Sequence, residues 1–389
     1  MNALIAALFD KKTILVANEA RLLKKAFLGF VILAMAFQTN DFGIMVRRTL
    51  VDAYLQVSVF VGFTLFIFLG LDSISKYNVT KFLEKTKKFH VFFASILGAL
   101  PGCGGAIIVV TQFIQGKITF GALVAVLTAT MGDAAFLLLA SEPSAGFFIF
   151  GIGVLAGTIS GYVIDFFHHP KFLHSCPLIH FEFEKIKKTF VSKFNIAWLI
   201  LFIPGFFLGI LQAFQVDFDS VISLPNNLSI THSIGSAGAV MSIFMWSLNP
   251  LSDIQCSTEK SRSYLSRVVD TTNFVTTWVI CGFLVFEIFM FFTNFDLKSL
   301  FDIWLPFIPL IAILFGFVPG CGPQIVVTTF YLNGFIPFSA EIGNAISNDG
   351  DALFPAIALA PKAAIIATVY SAIPAFIFAY GYMLIFEIS

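Results

Sequence analysis

The tetrapeptide Pro101-Gly102-Cys103-Gly104 recurs as Pro319-Gly320-Cys321-Gly322, 218 residues later. The same offset, without a gap, relates Gly132-Asp133 to Gly350-Asp351 and Pro143 to Pro361. From Pro101 to Pro143, 17 of the 43 positions are identical to their partners. Chance does not hold one register over that length, so the chain contains a duplicated unit. Each copy places a helix-breaking motif and an aspartate inside apolar sequence, a pattern typical of transporters built from structural repeats.

The composition is that of a membrane protein. Of 389 residues, 58% are hydrophobic and only 12% are charged, and the mean hydropathy is +0.91. Soluble domains carry roughly twice that charged fraction. Net charge is zero, which gives no reason to expect a nucleic-acid partner. Because backbone polar groups must be satisfied within the bilayer, the sequence predicts an all-α polytopic protein.

A membrane-crossing helix needs about 20 mostly apolar residues. The chain offers eleven apolar segments: Ala26–Phe37, Leu50–Leu71, Val91–Phe113, Phe120–Ala140, Ala145–Phe167, Ala197–Phe214, Ile230–Leu248, Thr272–Phe292, Ile303–Leu332, Ile336–Ala360 and Ala363–Phe386. They divide the chain into an N-terminal amphipathic segment (1–23), a first membrane repeat (24–167), a basic, histidine-containing linker (168–195) and a second membrane repeat (196–389). The histidines and Cys176 of the linker match no zinc-site spacing, which favours an ordinary loop.

Loop charge predicts how the first repeat crosses the membrane. Residues 72–90 and 168–195 each carry five lysines, so both should be cytoplasmic. Three apolar segments lie between them, although an even number of crossings is required. The simplest solution makes Val91–Phe113 a re-entrant hairpin. Its tip would be the break that proline and glycine impose on a helix. The predicted breaking residues are Pro101, Gly102 and Gly104 in the first copy and Pro319, Gly320 and Gly322 in the second.

The second repeat has the opposite charge bias. Residues 293–302, which correspond to part of the lysine-rich loop 72–90, contain a single lysine. Opposite bias on equivalent loops predicts opposite orientation in the membrane. The predicted fold is therefore two inverted repeats, each with a PGCG-broken or re-entrant helical hairpin. Asp52 and Asp270 also match across the repeat, and each is expected at the N-terminus of a span.

Two cysteines and two aspartates occur at equivalent positions of the repeats. If the two hairpin tips meet, Cys103 and Cys321 face one cavity, where their thiolates could bind soft metals or metalloids. The alternative is that cysteine is a small apolar residue suited to a tight turn. Asp133 and Asp351 are ionisable groups inside apolar segments, which indicates function. They could also cap half-helices that begin just after them.

The second copy is more polar than the first. Glu341, Asn344, Asn348 and Asp351 fall at i, i+3, i+7 and i+10, which predicts one helical face. Asp349 lies beside that face, and Gln324 follows the second PGCG motif and could add an oxygen. Such oxygen ligands suit a divalent cation or a proton relay. The alternative is a solvated face near the membrane surface.

Paired PGCG motifs, each followed by a glycine-aspartate pair in the next segment, resemble a family of ten-span heavy-metal exporters. Members are labelled manganese transporters or arsenic efflux proteins. The resemblance covers roughly Leu50 to Pro143 and Thr272 to Phe386. It implies a multi-pass protein of the bacterial inner membrane that exports a metal or metalloid, driven by an ion gradient. Carboxylates suit manganese and cysteines suit arsenite, and this chain has both.

The leading hypothesis is a secondary exporter of a divalent metal, with manganese favoured, or of a metalloid. Its predicted partners are the transported ion, a coupling proton or cation and the lipid bilayer, with no cofactor and no enzymatic activity. One alternative is a carrier for an organic or lipid-linked anion, which the acidic residues disfavour. Another is an intramembrane aspartyl protease that uses Asp133 and Asp351, although neither lies in a Gly-x-Gly-Asp sequence.

Overall fold

The protein is helical throughout the part that the computed structural model describes, which comprises residues 22–74, 89–169, 172–173, 194–214, 216, 218–221, 229–249, 264–293 and 305–388. The helices are α1 (22–36), α2 (Asp41–Asp52), α3 (Val59–Ile74), α4 (His90–Ala99), α5 (Gly104–Ile114), α6 (Phe120–Ala129), α7 (Ala134–Ser141), α8 (Pro143–Phe167), α9 (Asn195–Ala213), α10 (Phe218–Val221), α11 (Ile230–Ser247), α12 (Tyr264–Thr293), α13 (Ile308–Gly316), α14 (Cys321–Leu332), α15 (Phe338–Ser347), α16 (Leu353–Leu359) and α17 (Pro361–Tyr382).

Five helices of the described residues are long and apolar enough to cross a membrane, which makes the protein polytopic. They are Asp41–Ile67, Pro143–Phe167, Asn195–Ala213, Tyr264–Thr293 and Pro361–Glu387. The first of them runs through α2 and into α3, across a π-helical turn at Ala53–Ser58. The pair α6 and α7, bent by 41° at its break, gives a sixth if it is counted as one span.

The sequence duplication is repeated in the backbone. Helices α4 to α8 are followed 218 residues later by α13 to α17, and α6 and α15 begin and end at equivalent positions. Every glycine with positive φ among the described residues belongs to an equivalent pair: Gly102 with Gly320, Gly116 with Gly334, and Gly132 with Gly350. Since L side chains rarely adopt this conformation, the paired glycines fix the same breaks in both copies.

The first hairpin returns to the end of the bundle from which it starts. Helices α4 and α5 have 10 and 11 residues, each about half the length needed to cross the hydrocarbon core. Gly105 lies directly against the carbonyl oxygen of Leu97, which a straight helix would place about 12 Å away. His90 Nε2, at the start of α4, is 2.7 Å from Oγ1 of Thr119, which caps α6.

The second hairpin likewise returns to the end of the bundle from which it starts. The hydroxyl of Tyr380, near the end of α17, donates to the carbonyl oxygen of Pro306 at 3.0 Å, just before α13. The backbone N–H of Ser339, at the start of α15, donates to Glu387 Oε1 at 2.8 Å. The beginning of the hairpin, the beginning of α15 and the C-terminal end of the repeat therefore lie together.

Glycines let α6 and α8 approach closely. A Cβ atom on Gly157 would lie 2.5 Å from the carbonyl oxygen of Ala125 and 2.8 Å from Ser95 Oγ. Gly161 likewise faces Gly121, the second residue of α6. Small residues at helix interfaces are the usual means of tight packing within membranes, where van der Waals contact drives association. The contact extends to Ala129, the last residue of α6 before its break.

A second group of helices, α2, α3, α9, α11 and α12, packs beside the hairpins. Tyr54 is buried between Gly205 of α9 and Gly238 of α11. Trp198 Nε1 donates to Asn273 Oδ1 at 2.9 Å, which ties α9 to α12 inside the bundle. These contacts hold the second group of helices together beside the hairpins.

The structure shows where two predicted segments break and corrects the expected placement of two aspartates. The segments predicted at Phe120–Ala140 and Ile336–Ala360 are each interrupted, because Gly132 and Gly350 take left-handed backbone conformations. Asp52 lies inside the span Asp41–Ile67 and accepts hydrogen bonds from Gln56 and Gln212 at 3.3 and 3.4 Å. Asp270 lies within α12 and accepts from Asn249 Nδ2 at 3.0 Å.

Residues 1–21 of the predicted N-terminal segment and most of the predicted linker lie outside the described residues. The same is true of His174, Cys176 and His180 from the histidine-containing stretch. His168 is described, and its Nε2 lies 2.8 Å from the hydroxyl of Tyr370. Its ring also stacks on Phe172, with the centroids 4.1 Å apart, so it serves as a packing contact.

The close packing of α6 against α8 predicts a strong difference between two substitutions on one helix. Gly157→Ala should lower stability by about 1–3 kcal/mol, because the new methyl group meets Ala125 and Ser95. Gly151→Ala is the matched control, since its Cβ would meet nothing within 4 Å. Thermal unfolding in detergent measures both. Equal midpoints for the two variants would contradict the described interface.

Candidate metal centre

The two PGCG breaks meet in the interior. Cys103 immediately precedes α5 and Cys321 is the first residue of α14, and their Sγ atoms lie 3.2 Å apart. Both side chains are buried free thiols. The first loop is pinned by the backbone N–H of Gly102, which donates to the carbonyl oxygen of Gly132 at 3.0 Å. The fold therefore places one cysteine from each repeat at a single point.

Asp351 completes a three-residue cluster. It lies in the 3-10 turn Gly350–Ala352, between α15 and α16, and is fully buried. Its Oδ2 accepts hydrogen bonds from the thiols of Cys321 at 2.8 Å and Cys103 at 3.4 Å. Its Oδ1 accepts from the backbone N–H of Cys321 at 3.3 Å. The two sulfurs and one carboxylate oxygen all lie within 4.8 Å of one another, close enough to ligate one ion.

Two glycines make room for the sulfurs. Gly132 has φ 52° and Gly350 has φ 58°. A Cβ atom on Gly132 would overlap Sγ of Cys321 and lie 3.3 Å from Sγ of Cys103. A Cβ atom on Gly350 would also lie 3.3 Å from Sγ of Cys103. The paired glycines therefore supply both the turn and the space that the cluster needs.

Two polar side chains beside the cluster have unsatisfied atoms. Gln324 is fully buried, and neither its Oε1 nor its Nε2 has a hydrogen-bond partner. Its Oε1 would be 3.5 Å from a Cβ on Gly132, which places the amide next to the sulfurs. Asp133 Oδ2 is also buried without a partner. Because such groups cost free energy unless they are paired, they point to a ligand or water at this place.

Asn348 holds the second loop in shape. Its Oδ1 accepts from the backbone N–H of Gly350 at 2.7 Å, and its Nδ2 donates to the carbonyl oxygen of Gly320 at 3.4 Å. One side chain thus joins the PGCG turn to the turn that carries Asp351. Its amide atoms are occupied by backbone groups, which makes it a positioning residue.

The remaining predicted residues contact other partners. Glu341 Oε1 accepts from Thr328 Oγ1 at 2.7 Å, and its Oε2 has no partner. Asn344 Nδ2 donates to the carbonyl oxygen of Ala312 at 2.9 Å, and its Oδ1 has no partner. Asp349 accepts hydrogen bonds from the hydroxyls of Thr368 and Ser371 of α17. None of the three belongs to the Cys103, Cys321 and Asp351 cluster.

The prediction of one continuous polar face from Glu341 to Asp351 was wrong. Helix α15 ends at Ser347, Asn348 has an extended backbone, and Gly350 turns the chain. Only Glu341 and Asn344 share a helix, so the helical spacing does not carry on to Asp351. The alternative of a solvated face was also wrong, because all four side chains are fully buried.

Sequence reasoning missed the hydroxyl partners of the buried carboxylates, namely Thr328, Thr368 and Ser371. No signal marks them, since serine and threonine are common in membrane helices and usually bond to a carbonyl of their own helix. Thr368 also donates to the carbonyl oxygen of Ala364, as an ordinary helical threonine would.

The proximity of the sulfurs predicts a selective crosslink. Mild oxidation with copper phenanthroline should join Cys103 to Cys321, because closing 3.2 Å to a disulfide of about 2.05 Å needs only small movements. Peptide mass spectrometry would identify the link and would show Cys281 unlinked. Gly132→Ala should lower the yield by crowding Cys321, whereas Gly116→Ala, with nothing within 4 Å of the new methyl, should not. Full alkylation of both cysteines after oxidation of folded protein would refute the geometry.

Comparison with known protein families identifies the family of the chain. No curated protein and no solved structure matches the chain. The family described as "10TM heavy-metal exporter" matches residues 41–386, which includes both PGCG motifs and both glycine-aspartate pairs. Since the match spans most of the sequence, the chain belongs to this family of ten-span heavy-metal exporters.

Proposed function

We propose that the protein is a secondary exporter that binds its metal or metalloid ion at Cys103, Cys321 and Asp351. The observation that carries the proposal is the convergence of two thiols and a carboxylate, contributed by both repeats, within 4.8 Å. Family membership supports transport of a heavy metal as opposed to catalysis. Broken helices that meet inside a membrane are a usual place for the substrate site of secondary transporters.

The donor set favours a thiophilic substrate. Two thiolates and one carboxylate suit zinc, cadmium or a trivalent metalloid, whereas manganese prefers an all-oxygen shell. The oxygen-rich face that favoured manganese is not assembled, because Glu341, Asn344 and Asp349 each have separate partners. Manganese therefore becomes the alternative substrate of the same exporter.

Proton exchange supplies a coupling mechanism at the same atoms. Thiols bind metals as thiolates, so each must lose a proton when the ion arrives. Asp351 Oδ2 accepts hydrogen bonds from both thiols, so each thiol proton would pass to this carboxylate and must leave it for water before Asp351 binds the ion. Metal and protons would then compete for one site, which is the requirement for exchange of one against the other. Gln324, buried beside the sulfurs, could offer a further oxygen.

Contacts along α8 support the inverted orientation of the repeats. Phe120, at the start of α6, packs against His168 at the C-terminal end of α8. Its equivalent, Phe338 at the start of α15, packs against Phe148 near the N-terminus of α8. A 25-residue helix is about 37 Å long, so equivalent points of the two repeats lie toward opposite faces of the membrane. Rocking of one repeat against the other would then give alternating access.

Neither alternative function gains support from the site. An aspartyl protease needs two carboxylates that share a proton. Asp351 instead accepts hydrogen bonds from thiols, and Asp133 Oδ2 has no hydrogen-bond partner. An anion carrier needs basic groups at the substrate, and the described ligand atoms of the cluster are thiols and a carboxylate. A multi-pass location in a bacterial inner membrane belongs to the same proposal.

Metal resistance tests the proposal. Cells that lack their own metal exporters would express the chain and be challenged separately with zinc, cadmium, manganese, arsenite and an organoarsenical. Protection against a thiophilic ion should fall in Cys321→Ser and Asp351→Asn, since loss of one ligand weakens binding about tenfold or more. Cys281→Ser is the matched control, because Cys281 is outside the cluster.

Two results would count against the proposal. Manganese protection that disappears in Asp351→Asn but survives Cys321→Ser would replace the thiolate site with a carboxylate site. No protection against any of the five challenges, with the protein shown to be present in the membrane, would refute metal export.

The inverted orientation gives a separate prediction. Gln115 and Asn333 are equivalent residues at the ends of α5 and α14, next to the turns at Gly116 and Gly334. A membrane-impermeant thiol reagent applied outside intact cells should label Asn333→Cys and spare Gln115→Cys. Inside-out vesicles should give the reverse pattern. Labelling of both variants from one side would show that the repeats are parallel.

A further inference from the structure

A cavity of about 410 Å³ opens beside the candidate metal centre, and none of the three proposed ligands lines it. Its polar wall is formed by Asp133, Gln56, Gln212 and Thr231, and its apolar wall includes Phe60 and Leu208. It is far larger than the space that one water molecule needs, so it can hold an ion with water around it. The buried, unpartnered Oε1 of Gln212 and Oδ2 of Asp133 are suited to such contents.

The cavity continues toward one end of the helices. A second cavity of about 250 Å³ shares Gln212 and Thr231 with the first. Its other lining residues are Arg48, Val51, Asp52, Asp219, Ser229 and His232. Ser229 caps the N-terminus of α11, so this second cavity lies where the helices end. The two together form a polar route from the helix ends to Asp133.

Loop charge assigns the open end to the outside. Residues 214–229, between α9 and α11, contain no lysine or arginine and two aspartates. Residues 168–195, which precede the other end of α9, contain five lysines. The positive-inside rule therefore places the lysine-rich end in the cytoplasm and the mouth of the route at the extracytoplasmic surface.

The inner end of the route stops one residue from the sulfurs. Asp133 lines the cavity, and its neighbour Gly132 packs against Sγ of both Cys103 and Cys321. Both sulfurs are themselves buried. An ion that leaves the thiolates toward the cavity would therefore meet the Asp133 carboxylate first.

We propose that these two cavities are the extracytoplasmic exit path of the exporter, and that Asp133 receives the ion between the thiolate site and the path. The inference rests on the proposed export function, which it deepens. Asp52 organises the middle of the path, because it accepts hydrogen bonds from both Gln56 and Gln212. Carboxylate and amide oxygens hold a soft ion less strongly than thiolates do, which suits release. The solute that fits is a small hydrophilic ion with part of its water shell.

Cysteine accessibility tests the path without requiring transport. In a background with Cys176, Cys256 and Cys281 changed to serine, Leu208→Cys and Gln56→Cys would be treated with a charged, impermeant methanethiosulfonate. Both should react from the outside of intact cells at least tenfold faster than from the cytoplasmic face, which inside-out vesicles expose to the reagent. Phe207→Cys is the matched control, since Phe207 neighbours Leu208 in α9 but is 62% exposed on the outer surface of the bundle, where lipid excludes a charged reagent.

The possible outcomes separate the path from the function. The proposed path is overturned if neither Leu208→Cys nor Gln56→Cys is modified from outside. It is also overturned if the two are modified only from the cytoplasmic face, or no faster than Phe207→Cys. Outside labelling that occurs as expected, in a protein that gives no metal resistance, would leave the path standing and refute the export function. In a transporting protein, modified Leu208→Cys should also lose most of its efflux.

Discussion

The structure depends on the requirement that broken backbone inside a membrane be hydrogen-bonded within the protein. Each PGCG motif frees backbone groups where water is absent, and the two repeats satisfy them with their own turns. The N–H of Gly102 bonds to the carbonyl oxygen of Gly132, and the N–H of Cys321 bonds to the Asp351 carboxylate. Asn348 adds a bond to the carbonyl oxygen of Gly320. These bonds hold each break to the turn that follows it in the same repeat. The Cys103 thiol, which donates to Asp351 of the second repeat, joins the two breaks and brings the cysteines into contact.

Duplication did not produce two equal sites. The residues Cys, Gly and Asp are the same in both copies, yet only Asp351 accepts hydrogen bonds from the thiols. Asp133 Oδ2 has no hydrogen-bond partner, and the residue borders the cavity. In the proposed function one aspartate binds the ion together with the thiols, and the other meets an ion that has left them. This division of roles gives the site a direction, which two equivalent halves alone would not have.

Local sequence rules predicted the parts of this arrangement that depend on local chemistry. Glycine and proline marked the breaks at Pro101 and Pro319, and the constant offset of 218 related the two copies. Helical spacing failed from Asn348 onward, because it assumes continuous helix and Gly350 turns the chain. The sequence could not predict that Thr328 bonds to Glu341 or that Thr368 bonds to Asp349. Tertiary packing alone selects these two hydroxyls from many similar ones. The cavity between α7 and α9 likewise follows from helix placement, which no pattern within one segment encodes.

The central claim is that one ion is held by sulfur from both repeats. X-ray absorption spectroscopy of purified protein loaded with zinc tests it most directly, because sulfur and oxygen neighbours give distinct shells. The account predicts two sulfur neighbours at about 2.3 Å with the remaining ligands oxygen or nitrogen, and one sulfur in either Cys103→Ser or Cys321→Ser. A shell of oxygen and nitrogen alone in the native protein would contradict the account and return the substrate site to the carboxylates.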